Sequence, residues 1–194
     1  MAYEPKNFDH LLGTAGFSEQ LLKNHFTLYQ GYVTNTNKLF DIMMGMLKEG
    51  KASTPEFAEL KRRFGWEFNG MRLHELYFGN MNKKPSAPDK NSPLGKQIMK
   101  DFGSFETWEQ GFKAVGAMRG IGWVILCYDP QGKRLFNIWI NEHDAGHLAG
   151  CIPLLIMDVF EHAYMIDYGL KRADYITSFF TAIDWKVVEK RFTA

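Results

Sequence analysis

Apolar and polar positions alternate at helical spacing through the first half of the chain, and a mixed pattern replaces it in the second. Ser18, followed by Glu19 and Gln20, has the form of a helix cap with an acidic first turn. Leu21, Leu22, Leu28, Tyr29, Tyr32 and Val33 then mark an apolar face. A second helix begins at Thr54-Pro55-Glu56, a cap with proline in the first turn, and runs through Phe57, Leu60 and Phe64 toward His74 and Phe78. Farther on, 94–101 and 104–117 read as helices, and 123–128 is an unbroken β-type run. Asp129-Pro-Gln-Gly132 predicts a turn and 134–140 the return strand of a hairpin. Segment 151–157 is a third strand, apolar enough to be buried on both faces, and 173–192 closes the chain as helix. Helices followed by a small antiparallel sheet with more helices is an α+β arrangement.

One seam divides this order. Residues 84–93 contain Pro85, Pro88 and Pro93, three of the seven prolines, and almost no apolar side chain. Proline removes backbone donors and turns its neighbours away from helix, so this segment is a connector. It separates an N-terminal helical-hairpin domain at 1–83 from a C-terminal α/β domain at 94–194. At 194 residues, the chain can build an apolar core without disulfide staples. Its 16 Phe, 8 Tyr, 5 Trp and 10 Met exclude a disordered chain.

Charge narrows the partners. The chain has 23 Lys and Arg against 22 Asp and Glu, balanced in both halves. Neither nucleic acid nor an anionic membrane surface is expected on that balance. No apolar run approaches the ~18 residues of a membrane span. The N-terminal segment lacks a basic stretch leading into an apolar one, so no secretory signal is read. Cys127 and Cys151 sit inside apolar runs and read as buried thiols of a reducing compartment. A cytoplasmic location is the expectation.

Several chemistries drop out. A nucleophile elbow and a Walker A loop are missing, Gly120-x-Gly122 lacks the third glycine of a dinucleotide fingerprint, and His74-Glu75 has Phe78 where a zincin needs its second histidine. Six histidines remain. His10 lies in a polar stretch and reads as solvated. His143 and His147 are four apart, but the acid and glycine between them suggest a loop, with one polar and one packed histidine. Asp158-Val-Phe-Glu-His162 carries more information. Asp158 ends an apolar strand, where an unpaired carboxylate is costly, and His162 returns to the same point. A hard oxygen with an imidazole suits Fe, Mn or Zn, and a plain Asp–His hydrogen bond at a strand end has equal claim. His25 and Tyr32 are seven residues apart, which is about 20° short of two helical turns, so they project from one face. His25 or His74 alone is more often a packed core histidine than a ligand. Three such histidines with Asp158, among so many rings, would make a mononuclear metal site if the fold brings them together.

His25 with Tyr32-Val-Thr-Asn-Thr-Asn, His74-Glu-Leu-Tyr-Phe-Gly-Asn, Gly120-Ile-Gly-Trp123 and Asp158-Val-Phe-Glu-His-Ala-Tyr164 occur in that order. With Tyr168-Gly-Leu-Lys-Arg172-Ala-Asp-Tyr175 and Asp184-Trp185, the chain resembles the iron/manganese superoxide dismutases over nearly its whole length. The resemblance implies a helical hairpin followed by an α/β half with a three-stranded antiparallel sheet. It implies disproportionation of superoxide to dioxygen and hydrogen peroxide at one ion per subunit. The metal ligands would be His25, His74, Asp158 and His162, with solvent as a fifth. Tyr32 would be the gateway tyrosine and Trp123 a wall of the pocket. Asn141-Glu-His143 looks like the histidine version of the group set against the metal-bound solvent, as in the archaeal branch. Gly70 stands at the other position from which that group can come. Iron is implied by that branch, with manganese the alternative. Glu161 would reach the His162 ligand of a second subunit in a homodimer, or in a tetramer of such dimers.

The chain departs from the family in three ways. Family members usually place the tyrosine eight residues after the first ligand, about 80° past two turns, which a π-bulge must correct; here the number is seven. That spacing makes Asn24 a rival alignment for the ligand, and His25 is preferred on chemistry. Met165 replaces a tyrosine, and Leu28 or Tyr29 stands for its histidine partner, so a cross-subunit hydrogen bond and the proton route through it are lost together. Phe78 and Phe160 replace tryptophans. The first two departures also define the competing expectation, a catalytically silent metal-binding dimer. Arg172 has two expected roles, a positive rim at the substrate funnel or a salt bridge holding the tail.

Overall fold

The computed structural model describes residues 2–192. Helices α1 (Glu19–Lys48) and α2 (Pro55–Gly79) form an antiparallel hairpin. Both starts follow from the caps read in the sequence. Ser18 accepts from the Leu21 amide at 3.1 Å and Thr54 from the Phe57 amide at 3.3 Å, satisfying donors that a helix start leaves open. Residues 82–92 then run without helix or strand. Helix α3 (Pro93–Phe102) takes Pro93 as its first residue behind a Ser92 cap, and α4 (Phe105–Gly116) starts behind Ser104.

Strands β1 (Gly122–Asp129), β2 (Arg134–Asn141) and β3 (Ile152–Asp158) form one antiparallel sheet in the order β2-β1-β3. The predicted hairpin turn is held by Asp129, whose two carboxylate oxygens accept from the Gln131 and Gly132 amides, both at 3.0 Å. Helices α2 and α7 (Trp185–Phe192) pack on β3, while α4 packs on β1 and β2. One apolar cluster spans the hairpin and the sheet, from Phe8 and Leu21 through Trp123 and Ile156 to Val188. No helix among the described residues is long and apolar enough to cross a membrane.

The structure corrects the chain's end and one face. The expected helix at 173–192 is two, α6 (Arg172–Ala182) and α7, preceded by the short α5 (Met165–Tyr168). Ile183 pairs with Met81, the Asp184 amide donates to Asn80 O at 2.9 Å, and the Asp184 carboxylate accepts from Asn82 and Ser86. Those bonds to the exit of α2 replace the bonds that would continue the helix. Leu28, read as part of the buried face of α1, is 37% exposed. Helix α1 is regular α throughout, so the seven-residue spacing needs no bulge.

Candidate metal centre

His25 comes from the second turn of α1, His74 from the penultimate turn of α2, Asp158 from the end of β3 and His162 from a 3-10 turn at Glu161–Ala163. Each helix packs its apolar face inward, which points its histidine at the same strand end. The rival Asn24 faces solvent, bonded to Gln20, whereas His25 is buried. Asp158 Oδ2 lies 3.2 Å from His25 Nε2, 3.1 Å from His162 Nε2 and 3.5 Å from His74 Nε2. The four donor atoms lie within 4.8 Å of one another. Sheet register sets Trp123 directly beside Asp158, and the Tyr175 hydroxyl donates to Asp158 O at 2.6 Å.

The chemistry of this group favours a cation. His74 Nδ1 lies 2.6 Å from Gly70 O, and a carbonyl only accepts, so Nδ1 carries the proton. Nε2 therefore presents a lone pair, buried and without a hydrogen-bond partner, to a carboxylate oxygen. Burial also lowers the proton affinity of His25 and His74. For Asp158, burial alone would raise the carboxyl; the charge of His162 and the bonds from His162 and His25 outweigh it and hold it well below the ordinary range. The His74 Nε2 lone pair facing a carboxylate oxygen 3.5 Å away is an unfavourable contact that a cation between them would relieve. Three nitrogens and one oxygen suit iron or manganese.

Beside the four donors, His143 is fully buried and tightly oriented. The Trp123 indole donates to His143 Nδ1 at 3.0 Å. Indole is a donor only, so Nδ1 accepts, and Nε2–H donates to the Tyr32 hydroxyl at 2.9 Å. Burial pushes His143 down to about 4 and the Tyr32 hydroxyl well up. Tyr32 stacks on His74 with ring centres 5.2 Å apart, and a Cβ at Gly70 would lie 2.6 Å from its Cδ1. Only glycine leaves room for that ring. Phe78 at 4.8 Å and Tyr77 at 5.4 Å face His25, while Phe160 at 5.1 Å covers His162.

Sequence reasoning missed Trp66 and Glu142. The Trp66 indole donates to Glu142 Oε2 at 2.9 Å, and its ring meets His143 edge-on at 4.5 Å. Glu142 holds a left-handed φ of 50°, which turns the following His143 inward. Trp66 lies one turn before Gly70, so helical spacing from that glycine was the available signal. A cleft of about 560 Å³, lined by Tyr32, Trp66, Arg63 and Asn35, leads to the Tyr32 side of the group.

The other expected positions sort clearly. His10 and His147 are exposed, and His147 Nε2 lies 2.9 Å from His143 O. Glu161 and Met165 are exposed. Arg172 makes no salt bridge among the described residues: its three nitrogens bond to Met118 O, Gly120 O and the Tyr164 hydroxyl, so it pins the α4–β1 loop through carbonyls.

The model of the iron/manganese superoxide dismutases, C-terminal domain, matches residues 90–191. The chain belongs to the iron/manganese superoxide dismutase family. Manganese superoxide dismutase 2 of Haloferax volcanii is 34% identical over 197 residues, covering 99% of this chain and 96% of its own. An iron superoxide dismutase of Cupriavidus metallidurans is 38% identical, with 92% and 90% covered, and one of Aquifex pyrophilus is 36% identical, with 97% and 90% covered. Relatives of both metals thus span nearly the whole chain, including the hairpin that carries His25 and His74.

Proposed function

We propose that this protein disproportionates superoxide to dioxygen and hydrogen peroxide at one metal ion held by His25, His74, Asp158 and His162. The observation that carries the reading is the convergence of three imidazole Nε2 atoms on Asp158 Oδ2, with His74 Nε2 otherwise unpartnered. An iron or manganese ion held by these four residues would supply the one-electron redox chemistry that disproportionation needs. The protein does the rest. A single carboxylate among neutral imidazoles leaves cationic charge uncancelled, which favours an anionic substrate. Tyr32 keeps its proton at neutral pH because burial raises its hydroxyl, and it holds that proton at Oη where the cleft meets the group. His143 fixes the direction of that hydroxyl by donating to it, and Trp123 fixes His143. Trp123, Phe78 and Phe160 exclude bulk water.

Iron is the metal we assign, as in the relatives from Cupriavidus metallidurans and Aquifex pyrophilus, with manganese, as in that from Haloferax volcanii, the alternative. The assembly we propose is a homodimer, in which exposed Glu161 binds the partner subunit's His162; the exposed Met165, Ile166 and Leu170 that follow support a covered surface there. We also infer a cytoplasmic location, since the fold uses no structural disulfide among the described residues and holds its two cysteines as thiols at rest. Superoxide consumption by protein loaded with iron, and separately with manganese, tests the function. Activity with at least one is expected. Full loading with each metal and no consumption would leave a silent metal-binding scaffold.

A further inference from the structure

Away from the metal group, the sheet brings the chain's two cysteines together. Register sets Cys127 of β1 opposite Pro153 and Tyr128 opposite Ile152, with a shift between Leu126 and Cys127. Cys151 stands just before β3, after Gly150 at φ 79°, so its backbone lies outside the ladder. Cys151 is two positions from Pro153, the register partner of Cys127, so the two thiols are neighbours at that end of the sheet and Cys151 disfavours ionisation of Cys127. Both line a cavity of about 160 Å³ together with His147 and Leu148. Cys127 is buried and Cys151 half-buried, so a small solute meets Cys151 first. His147 donates through Nε2 to His143 O, which leaves Nδ1 as the basic nitrogen of a ring in that wall.

We propose that Cys127 and Cys151 are a dithiol that hydrogen peroxide oxidises to a disulfide joining β1 to the entry of β3. The Cys151 sulfur attacks one peroxide oxygen; the O–O bond breaks, the sulfur becomes a sulfenic acid, and the thiol proton leaves with the departing hydroxide as water. The Cys127 sulfur then attacks the sulfenic sulfur. The S–S bond forms, the S–O bond breaks, and the hydroxyl leaves with the Cys127 proton as a second water. Two electrons pass from the dithiol to one peroxide. The division of labour follows access, since Cys127 is buried and Cys151 half-buried, and burial also pushes the Cys127 thiol up. Peroxide as the local oxidant rests on the dismutase reading; the thiol chemistry does not.

Metal-loaded protein treated with reagent hydrogen peroxide, quenched in acid and alkylated provides the test. Both thiols are expected to disappear together, with loss of two hydrogens in mass and a peptide pair joined at Cys127 and Cys151. Cys127→Ser should leave Cys151 as a sulfenic acid that dimedone captures. Cys151→Ser should leave Cys127 reduced, oxidising more than about tenfold slower than the pair. Full alkylation of both cysteines after a dose that oxidises free cysteine completely overturns the proposal, as does a disulfide formed only between molecules. Reagent peroxide bypasses dismutation, so an inactive enzyme would leave these outcomes unchanged.

Discussion

Trp123 can donate through its indole nitrogen but never accept, and that asymmetry propagates through His143 to Tyr32. The chain of bonds works only while His143 is neutral. Folded protein keeps it so down to about 4, whereas an unfolded chain protonates it below its ordinary 6.5. Between those values the unfolded state binds more protons, so stability falls as pH drops through that window, by about 3 kcal/mol for this residue. Urea midpoints measured from pH 7 to pH 4 should fall less steeply for His143→Gln than for wild type; parallel curves would show that His143 does not titrate this way. Gly70 makes a second prediction. Alanine there should cost about 1–3 kcal/mol through its collision with Tyr32, despite alanine's better helix propensity. Denaturant melts of Gly70→Ala check it, and an unchanged midpoint would mean that Tyr32 moves freely. His25, His74, Asp158 and His162 were legible as ligand types in the sequence. Trp66 and Glu142 were not, because their importance is one hydrogen bond across 76 positions of chain and a local left-handed turn.

Among the elements, caps and turns carried most of the legible information. Ser18, Thr54-Pro55, the proline-rich connector and Asp129–Gly132 are local signals, and each boundary they predicted lies within a residue or two of the one observed. The break between α6 and α7 is a different case. Apolar spacing runs on through Ile183, but the backbone there bonds to the exit of α2, a partner about a hundred residues earlier. Replacing Asp184 by alanine removes the acceptor for Asn82 and Ser86 and should destabilise the fold by about 1–2 kcal/mol. Hydrogen exchange should quicken first at the α6–α7 junction and at 80–86. Uniform change over the whole chain would argue against a local tie.

At the scale of the molecule, the four donors come from α1, α2, β3 and the turn after it, so a bound ion joins the hairpin to the sheet. Anything that binds the folded state alone stabilises it by mass action. Chelating the metal should therefore lower the melting temperature and loosen amide protection at all four segments together. A melt unchanged by metal removal would separate the donors from the stability of the fold. The sequence by itself determined which residues could be ligands, where helices begin, that a small antiparallel sheet follows a helical pair, and that nearly balanced charge leaves no broad field for polyanions. Those properties are read from neighbours a few positions apart, where backbone geometry sets the spacing. Only the tertiary structure decided that His25 rather than Asn24 turns inward, that His143 is oriented by Trp123, that Arg172 binds carbonyls, and that two cysteines share one cavity. Each of those depends on segments distant in the chain being pressed together by apolar burial, which is non-directional and leaves no spacing to read.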